Sequence, residues 1–83
     1  MQFEPFYTDE FQSSAAKLDG SVREIVRKRI NKILENPFLG KPLHGKLLFH
    51  SERFLHYRII YRVEESTVIF VRVGKRDEVY REY

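Results

Sequence analysis

Apolar and polar positions follow two different periods along the chain. At the start, Phe3, Pro5 and Tyr7 alternate with Gln2, Glu4 and Phe6, which predicts a short strand over Gln2–Phe6. Pro5 lacks a ladder donor and sends that strand to a sheet edge or a loose pairing. Thr8 before Asp9 and Glu10 is a helix start, with an N-cap and acids at the positive end of the helix. Phe11, Ala15 and Leu18 then recur at helical spacing, and this short helix should end near Asp19-Gly20. Ser21-Val22-Arg23-Glu24 has the form of a capping box that opens a second helix. In it Val22, Ile25, Val26, Ile30, Ile33 and Leu34 form one apolar stripe. Arg23, Arg27, Lys28, Arg29, Asn31 and Lys32 take the solvated side, with Glu24 placed to pair with Lys28. Asn36-Pro37 stops the helix, so the pattern predicts an antiparallel helical hairpin.

Beyond residue 37 the period falls to two. Pro37–Lys46 is punctuated by Gly and Pro and reads as an ordered loop, with Leu47–Phe49 a short strand after it. Arg53–Val63 alternates as one strand, Glu64-Glu65-Ser66 turns, and Thr67–Val73 returns until Gly74 breaks it. Val79-Tyr80 is placed to add a last short pairing. The helical stripe needs an apolar sheet face, and Leu55, Tyr57, Ile59, Tyr61 and Val63 provide one. The opposite face would carry Arg58, Arg62 and Arg72 beside Phe54, His56 and Phe70. Cations interleaved with rings suit single-stranded nucleic acid, the cations for phosphates and the rings for bases. The same pattern also suits a face covered by the C-terminal segment, with the Arg heads reaching water.

Composition narrows the choice. Eighty-three residues make one domain, 1–83, of α+β class: a short N-terminal strand and a two-helix hairpin packed on a small, mainly antiparallel sheet. No cysteine is present, which excludes a disulfide scaffold, a thiol nucleophile and a thiolate metal site. No Asp, Glu and His set has metal-ligand spacing, so neither metal nor cofactor is expected. No apolar run approaches the roughly 20 residues of a membrane span, and the first residues lack the pattern of a signal peptide. The expected location is the cytoplasm. The net charge of +3 lies wholly in residues 41–83, with nine basic side chains against six acidic. A basic sheet suits an anionic partner such as RNA, DNA or an acidic protein, and also suits simple solubility.

Tyr57-Arg-Ile-Ile-Tyr-Arg-Val63, followed by Val68-Ile-Phe-Val-Arg-Val-Gly-Lys-Arg-Asp-Glu-Val-Tyr80, resembles the RelE/ParE superfamily. These are toxins of type II toxin–antitoxin pairs. Glu35-Asn36-Pro37 at the end of the second helix and the Lys41-Pro-Leu-His-Gly-Lys46 loop extend the resemblance over nearly the whole chain. It implies a RelE-like microbial ribonuclease-type fold. In the RelE branch it implies a ribosome-dependent mRNA interferase. In the ParE branch it implies a gyrase inhibitor that is not a nuclease. A member without toxicity, kept as a binding module, is a third possibility. The RelE branch is favoured because Arg58, Arg76 and Tyr80 match its pattern of a strand Arg, an Arg after the Gly and a Tyr near the end. Two Lys of that pattern fall here on Phe49 and Ser51, and His50, Arg53 and Lys46 stand nearby as substitutes. The implied partners are a cognate antitoxin and mRNA on the ribosome, with contacts to ribosomal RNA, and no membrane.

The implied chemistry is attack of a 2′-hydroxyl on its own phosphate, which requires a base, a cation and an acid but no metal. Arg58 is the phosphate clamp, since guanidinium matches phosphate oxygens bidentately. Arg76 stabilises the leaving oxygen, and Tyr80 orients or deprotonates the 2′-hydroxyl or stacks on a base. Lys46, His50, Arg53, Arg62, Arg72 and Lys75 are the further RNA-binding candidates. Against these readings, a strand Arg is commonly a surface residue and a C-terminal Tyr a packing residue. An acidic antitoxin segment would cover Arg58 or displace Tyr80, and Gln2–Phe6 offers an edge for an added strand.

Overall fold

A computed structural model describes residues 3–39, 41–43 and 46–75, with backbone alone at 39, 41–43 and 46–48. The chain runs β1 (Glu4–Tyr7), α1 (Asp9–Ala16), α2 (Gly20–Glu35), a 3₁₀ turn (Pro37–Leu39), β2 (Lys41–Leu43), β3 (Lys46–Phe54), β4 (Tyr57–Glu64) and β5 (Thr67–Lys75). The strands form one sheet in the order β1-β5-β4-β3-β2, antiparallel except for the parallel β1–β5 pair. The expected α+β architecture is therefore present, with more sheet than the sequence suggested. Val79-Tyr80 lies outside the described residues.

The helical stripe does find the Tyr57/Ile59/Tyr61/Val63 side of the sheet. Phe11, Val26, Ile30, Ile33 and Leu34 pack on Phe54, Ile59, Tyr61, Val68, Phe70 and Val73, with Tyr57 and Val63 at the margin. An unbroken relay of rings crosses this layer. Phe11 meets Phe70 at 5.7 Å, Phe70 meets Tyr61 at 6.0 Å, and Tyr61 stacks on His50 at 5.5 Å. The buried Tyr61 hydroxyl donates to the Pro37 carbonyl at 2.6 Å, fastening the end of α2 to the sheet.

Four expectations need correction. Arg53–Val63 is not one strand, because β3 ends at Phe54 and Leu55-His56 makes a two-residue turn into Tyr57. Leu55, assigned to the core, is 68% exposed at that turn, while Phe54, assigned to the far face, is buried in the core. Phe70 also moves into the core. Opposite Ile60 and Tyr61 the β5 strand bulges: Tyr61 pairs with Phe70 but Ile60 with Arg72, leaving Val71 as an extra residue. The bulge lets Val68, Phe70 and Val73 all face the helices. Gly74 does not end β5, which continues through Lys75. Finally, Ser21 caps nothing. The second helix starts two residues earlier, at Gly20 with Asp19 as N-cap, and Glu24 binds Arg27 rather than its own helix end or Lys28. That guanidinium holds the Glu24 carboxyl below its usual range.

Thr8 joins three elements. Its hydroxyl accepts from the Phe11 N–H at 3.0 Å, capping α1. It also donates toward the Phe70 and Val71 carbonyls at 3.2 and 3.0 Å, on the bulge. Two turns along α1, Ser14 Oγ accepts from the Val73 N–H at 3.1 Å. The first helix thus covers with its hydroxyls the stretch of β5 that β1 does not reach. The outer edge of β1 is blunted as well. Glu4 N–H and Thr8 N–H bond inward to Ser66 and Phe70 carbonyls, so by alternation Pro5 and Tyr7 face outward. Pro5 has no donor there, and the Tyr7 carbonyl accepts from the Gln12 side chain at 3.1 Å. The N-terminal strand is therefore a sheet edge, as expected, and a blunted one.

Thr8→Val keeps the shape and removes the hydroxyl, so it should cost about 1–3 kcal/mol, read as a lower denaturation midpoint at unchanged m-value. Leu55 has φ 50° without being glycine. Leu55→Gly should therefore leave stability unchanged or raise it by up to about 1 kcal/mol, measured in the same titrations. Burial raises the pKa of the Tyr7 phenol above 10.0. The fold favours the neutral phenol, so this contribution is intact below about pH 10 and lost above it. Wild type should therefore lose stability relative to Tyr7→Phe as the pH rises from about 9 to 11.

Candidate nucleic-acid interface

Strand pairing decides which cations share a face. Ser51, Arg53, Arg58, Ile60, Arg62 and Arg72 lie on the side away from the helices: Ser51 pairs with Ile60, Arg53 with Arg58, and Ile60 with Arg72. At its centre Ile60 is 0% exposed and Ser51 is 4% exposed. The expectation of a bare sheet is thus corrected, since the middle of this face is buried and its charged heads form the rim. Arg58 Nη1 donates to the Ser51 hydroxyl at 3.3 Å. That bond explains how a polar side chain is accommodated inside, because a buried hydroxyl needs a partner.

Arg53 stands directly across from Arg58. Side chains so paired have Cβ atoms about 4.5–5.5 Å apart, a separation at which like charges repel. Among the described residues Arg53 is exposed and has no carboxylate at ion-pair distance. Glu64 and Glu10 stand at the margins of this region. Arg62 Nη2 is 3.8 Å from Glu64, and its Nε is buried with no hydrogen-bond partner among the described residues. Arg72 Nη1 is 3.0 Å from Glu10 of α1, so this guanidinium is drawn to the helix edge and away from Arg58.

The remaining candidates do not join this group. His50 pairs with Tyr61 on the helix-facing side, stacked on its ring and edge-on to Phe38 at 6.4 Å. Lys75 pairs with Tyr57, also on the helix-facing side, and lines a cavity of about 290 Å³ with Lys17, Asp19 and Arg72. Only the backbone of Lys46 is described, and Arg76 and Tyr80 lie outside the described residues. Sequence reasoning missed two participants. Ser51 was noted only as a replaced lysine, yet it holds Arg58. Glu52 was not noted at all. It takes Arg29 at 2.9 Å and Lys32 at 3.7 Å, so one acid binds two helical cations on the other side of the sheet. Arg29 is accordingly not part of a solvated run. No cluster of three metal-ligating side chains occurs among the described residues.

A sheet carrying a rim of arginines on one side and a helical hairpin on the other defines the class. The model of the family described as "ParE toxin of type II toxin-antitoxin system, parDE" matches residues 6–80. The mRNA interferase toxin RelE of Escherichia coli is 38% identical over 76 residues, covering 80% of this chain and 77% of that protein. The mRNA interferase RelE of Shigella flexneri matches to the same extent. Among solved structures, a free-state mutant of Escherichia coli RelE superposes with TM-score 0.83 at 27% identity, covering 99% of this chain and 94% of that one. The RelBE2 toxin–antitoxin complex of Mycobacterium tuberculosis gives TM-score 0.82 at 26% identity, covering 92% of this chain and all of that one. The chain belongs to the RelE/ParE superfamily of type II toxins, and within it is RelE-like. No described helix is long and apolar enough to cross a membrane.

Two stability outcomes follow from these placements. His50→Ala should lower stability by about 0.5–1.5 kcal/mol through loss of the Tyr61 stack. Arg53→Ala should lower it not at all, or raise it slightly in low salt by removing the repulsion across from Arg58. Thermal melts at low and high ionic strength check both.

Proposed function

We propose that this chain is a ribosome-dependent mRNA interferase, acting in the cytoplasm as a single domain and held inactive by a cognate antitoxin. The observation that carries the reading is Arg58, braced by a buried serine and faced by Arg53, in a chain 38% identical to an mRNA interferase. RNA cleavage by the 2′-hydroxyl forms a bond from the 2′-oxygen to phosphorus and breaks the bond to the 5′-oxygen. A base takes the 2′-proton, an acid protonates the leaving oxygen, and a cyclic phosphate remains. Charge builds on the non-bridging oxygens, where a fixed guanidinium is most effective. Arg58 fills that role. By the resemblance, Arg76 faces the leaving oxygen and Tyr80 the 2′-hydroxyl. An acidic antitoxin segment over the arginine rim would block the same phosphate site.

The family model bears the name of ParE, which motivates gyrase inhibition as the second reading. Expression without the antitoxin separates the two. The first reading expects growth arrest with mRNA cut within codons, the second arrest with altered DNA supercoiling and intact mRNA. For the purified protein, Arg58→Ala should cut ribosome-bound mRNA about 10²–10³-fold more slowly while melting cooperatively. Cleavage at the wild-type rate would remove Arg58 from the mechanism.

A further inference from the structure

We infer that copies of this chain associate through two unlike ends, the Leu55 tip of one copy seating in a hollow beside Phe6 of another. The inference goes beyond the nuclease reading and does not rest on it. Strand β4 has a two-residue turn at each end, Leu55-His56 before it and Glu65-Ser66 after it. By strand rise the two turns stand about 23 Å apart, at opposite ends of the sheet. Each turn opens on a residue with positive φ, Leu55 at 50° and Glu65 at 54°, and neither is glycine. Single exposed leucines are ordinary, but a bulky side chain in the left-handed region is an outlier. Backbone strain of this kind is kept where the side chain that causes it has a use. Leu55 is 68% exposed, so burial within its own fold gives little return for that strain.

The two ends are opposite in charge, and each presents an apolar group. Around Leu55 stand Arg53, His56 and Lys75, all exposed, with Lys75 paired to Tyr57 just after the turn. Neither Arg53 nor Lys75 has a carboxylate at ion-pair distance among the described residues. At the other end an open hollow of about 760 Å³ is lined by Phe6, Glu64, Glu65, Thr67 and Ile69. Phe6 pairs with Ile69 and is 57% exposed. Glu4 and Glu64 both pair with Thr67, so three acids, with Glu65, gather at this end. Glu4 and Glu65 have no cation at ion-pair distance among the described residues. The edge of β1 is blunted by Pro5 and by the bonded Tyr7 carbonyl, so contact here falls to side chains and not to an added strand. The occupant that fits is a basic turn with an apolar tip, and the chain itself carries one. Leu55 against Phe6 and Ile69 leaves water, while Arg53 and Lys75 come opposite the acids. One apolar side chain and surface ion pairs make less than the roughly 1,200 Å² of a standard interface, so the association is weak and salt-dependent. Because unlike surfaces meet, it either closes a pair with two such contacts or grows head to tail.

The test is sedimentation velocity of the whole chain from about 10 to about 500 μM, in about 50 mM and about 500 mM salt. Wild type should gain mass with concentration in low salt and return toward the monomer in high salt. Leu55→Gly, which suits the backbone at that turn, should stay monomeric throughout. Phe6→Ser should do the same, and cooperative melts should show both variants folded. Should Phe6→Ser not fold, Glu65→Arg removes the same end by charge. An equimolar mixture of the tip variant and the hollow variant should associate again in low salt, because each supplies the end that the other lacks. A monomeric wild type at the highest concentration in low salt overturns the inference. So does Leu55→Gly that associates as wild type does, or a mixture no heavier than its components. If wild type stays monomeric and Phe6→Ser instead weakens binding of the co-expressed antitoxin, the hollow belongs to the antitoxin and the inference falls.

Discussion

One hydroxyl group sets the relation between the two layers. Thr8 ends the first strand, caps the first helix and holds the two carbonyls of the β5 bulge. Each of these is a modest bond, but they meet in a single side chain, so the helix cannot slide along the sheet without breaking all of them. Ser14 repeats the device two turns on. A domain this small buries limited apolar surface, and fixed register is what lets that surface be continuous. The ring relay from Phe11 to His50 depends on it, because each ring must arrive opposite the next.

The same register sorts charge. On the helical side a single half-buried acid, Glu52, takes up two cations of α2. On the other side Glu10 and Glu64 stand at the ends and draw Arg72 and Arg62 outward. Arg58 and Arg53 face one another across β3 and β4, above a buried floor of Ile60 and Ser51.

Much of this was legible in the chain. The helical stripe, the face it seeks and the pairing of β4 with β5 follow from periodicity alone. What was not legible has two physical sources. The Leu55-His56 turn contains no Gly, Asn, Asp or Pro, and a leucine at positive φ carries no turn signal, so β3 and β4 read as one strand. Val68–Val73 is apolar except for Arg72, so an alternation in either phase fits it, and a bulge is invisible in such a run. Phe54 and Phe70 were consequently placed beside Arg58 when both belong to the core. Of the site, Arg58 and Arg62 were found by charge on alternate positions, and Arg53 only as a neighbour of the two replaced lysines. His50 was placed among the RNA-binding candidates because its imidazole suits a phosphate as well as the ring stack it makes with Tyr61. Ser51 gave no signal, since its role exists only once Arg58 folds over it.

The bulge also has a bearing on how the length of this chain can drift. Val71 has no partner across the ladder, so β5 carries one spare residue, and carries it only there. A lineage that lost Val71 would keep Phe70 opposite Tyr61, Arg72 opposite Ile60 and Val73 opposite Ile59, giving up only the Thr8 contact to that carbonyl. Loss of a neighbour such as Ile69 would instead turn Phe70 outward, or require a new pairing for all that precedes it. Indels are thus rationed by geometry: the sheet can shorten by one residue at the point where the helix holds it, and elsewhere in the strand it cannot.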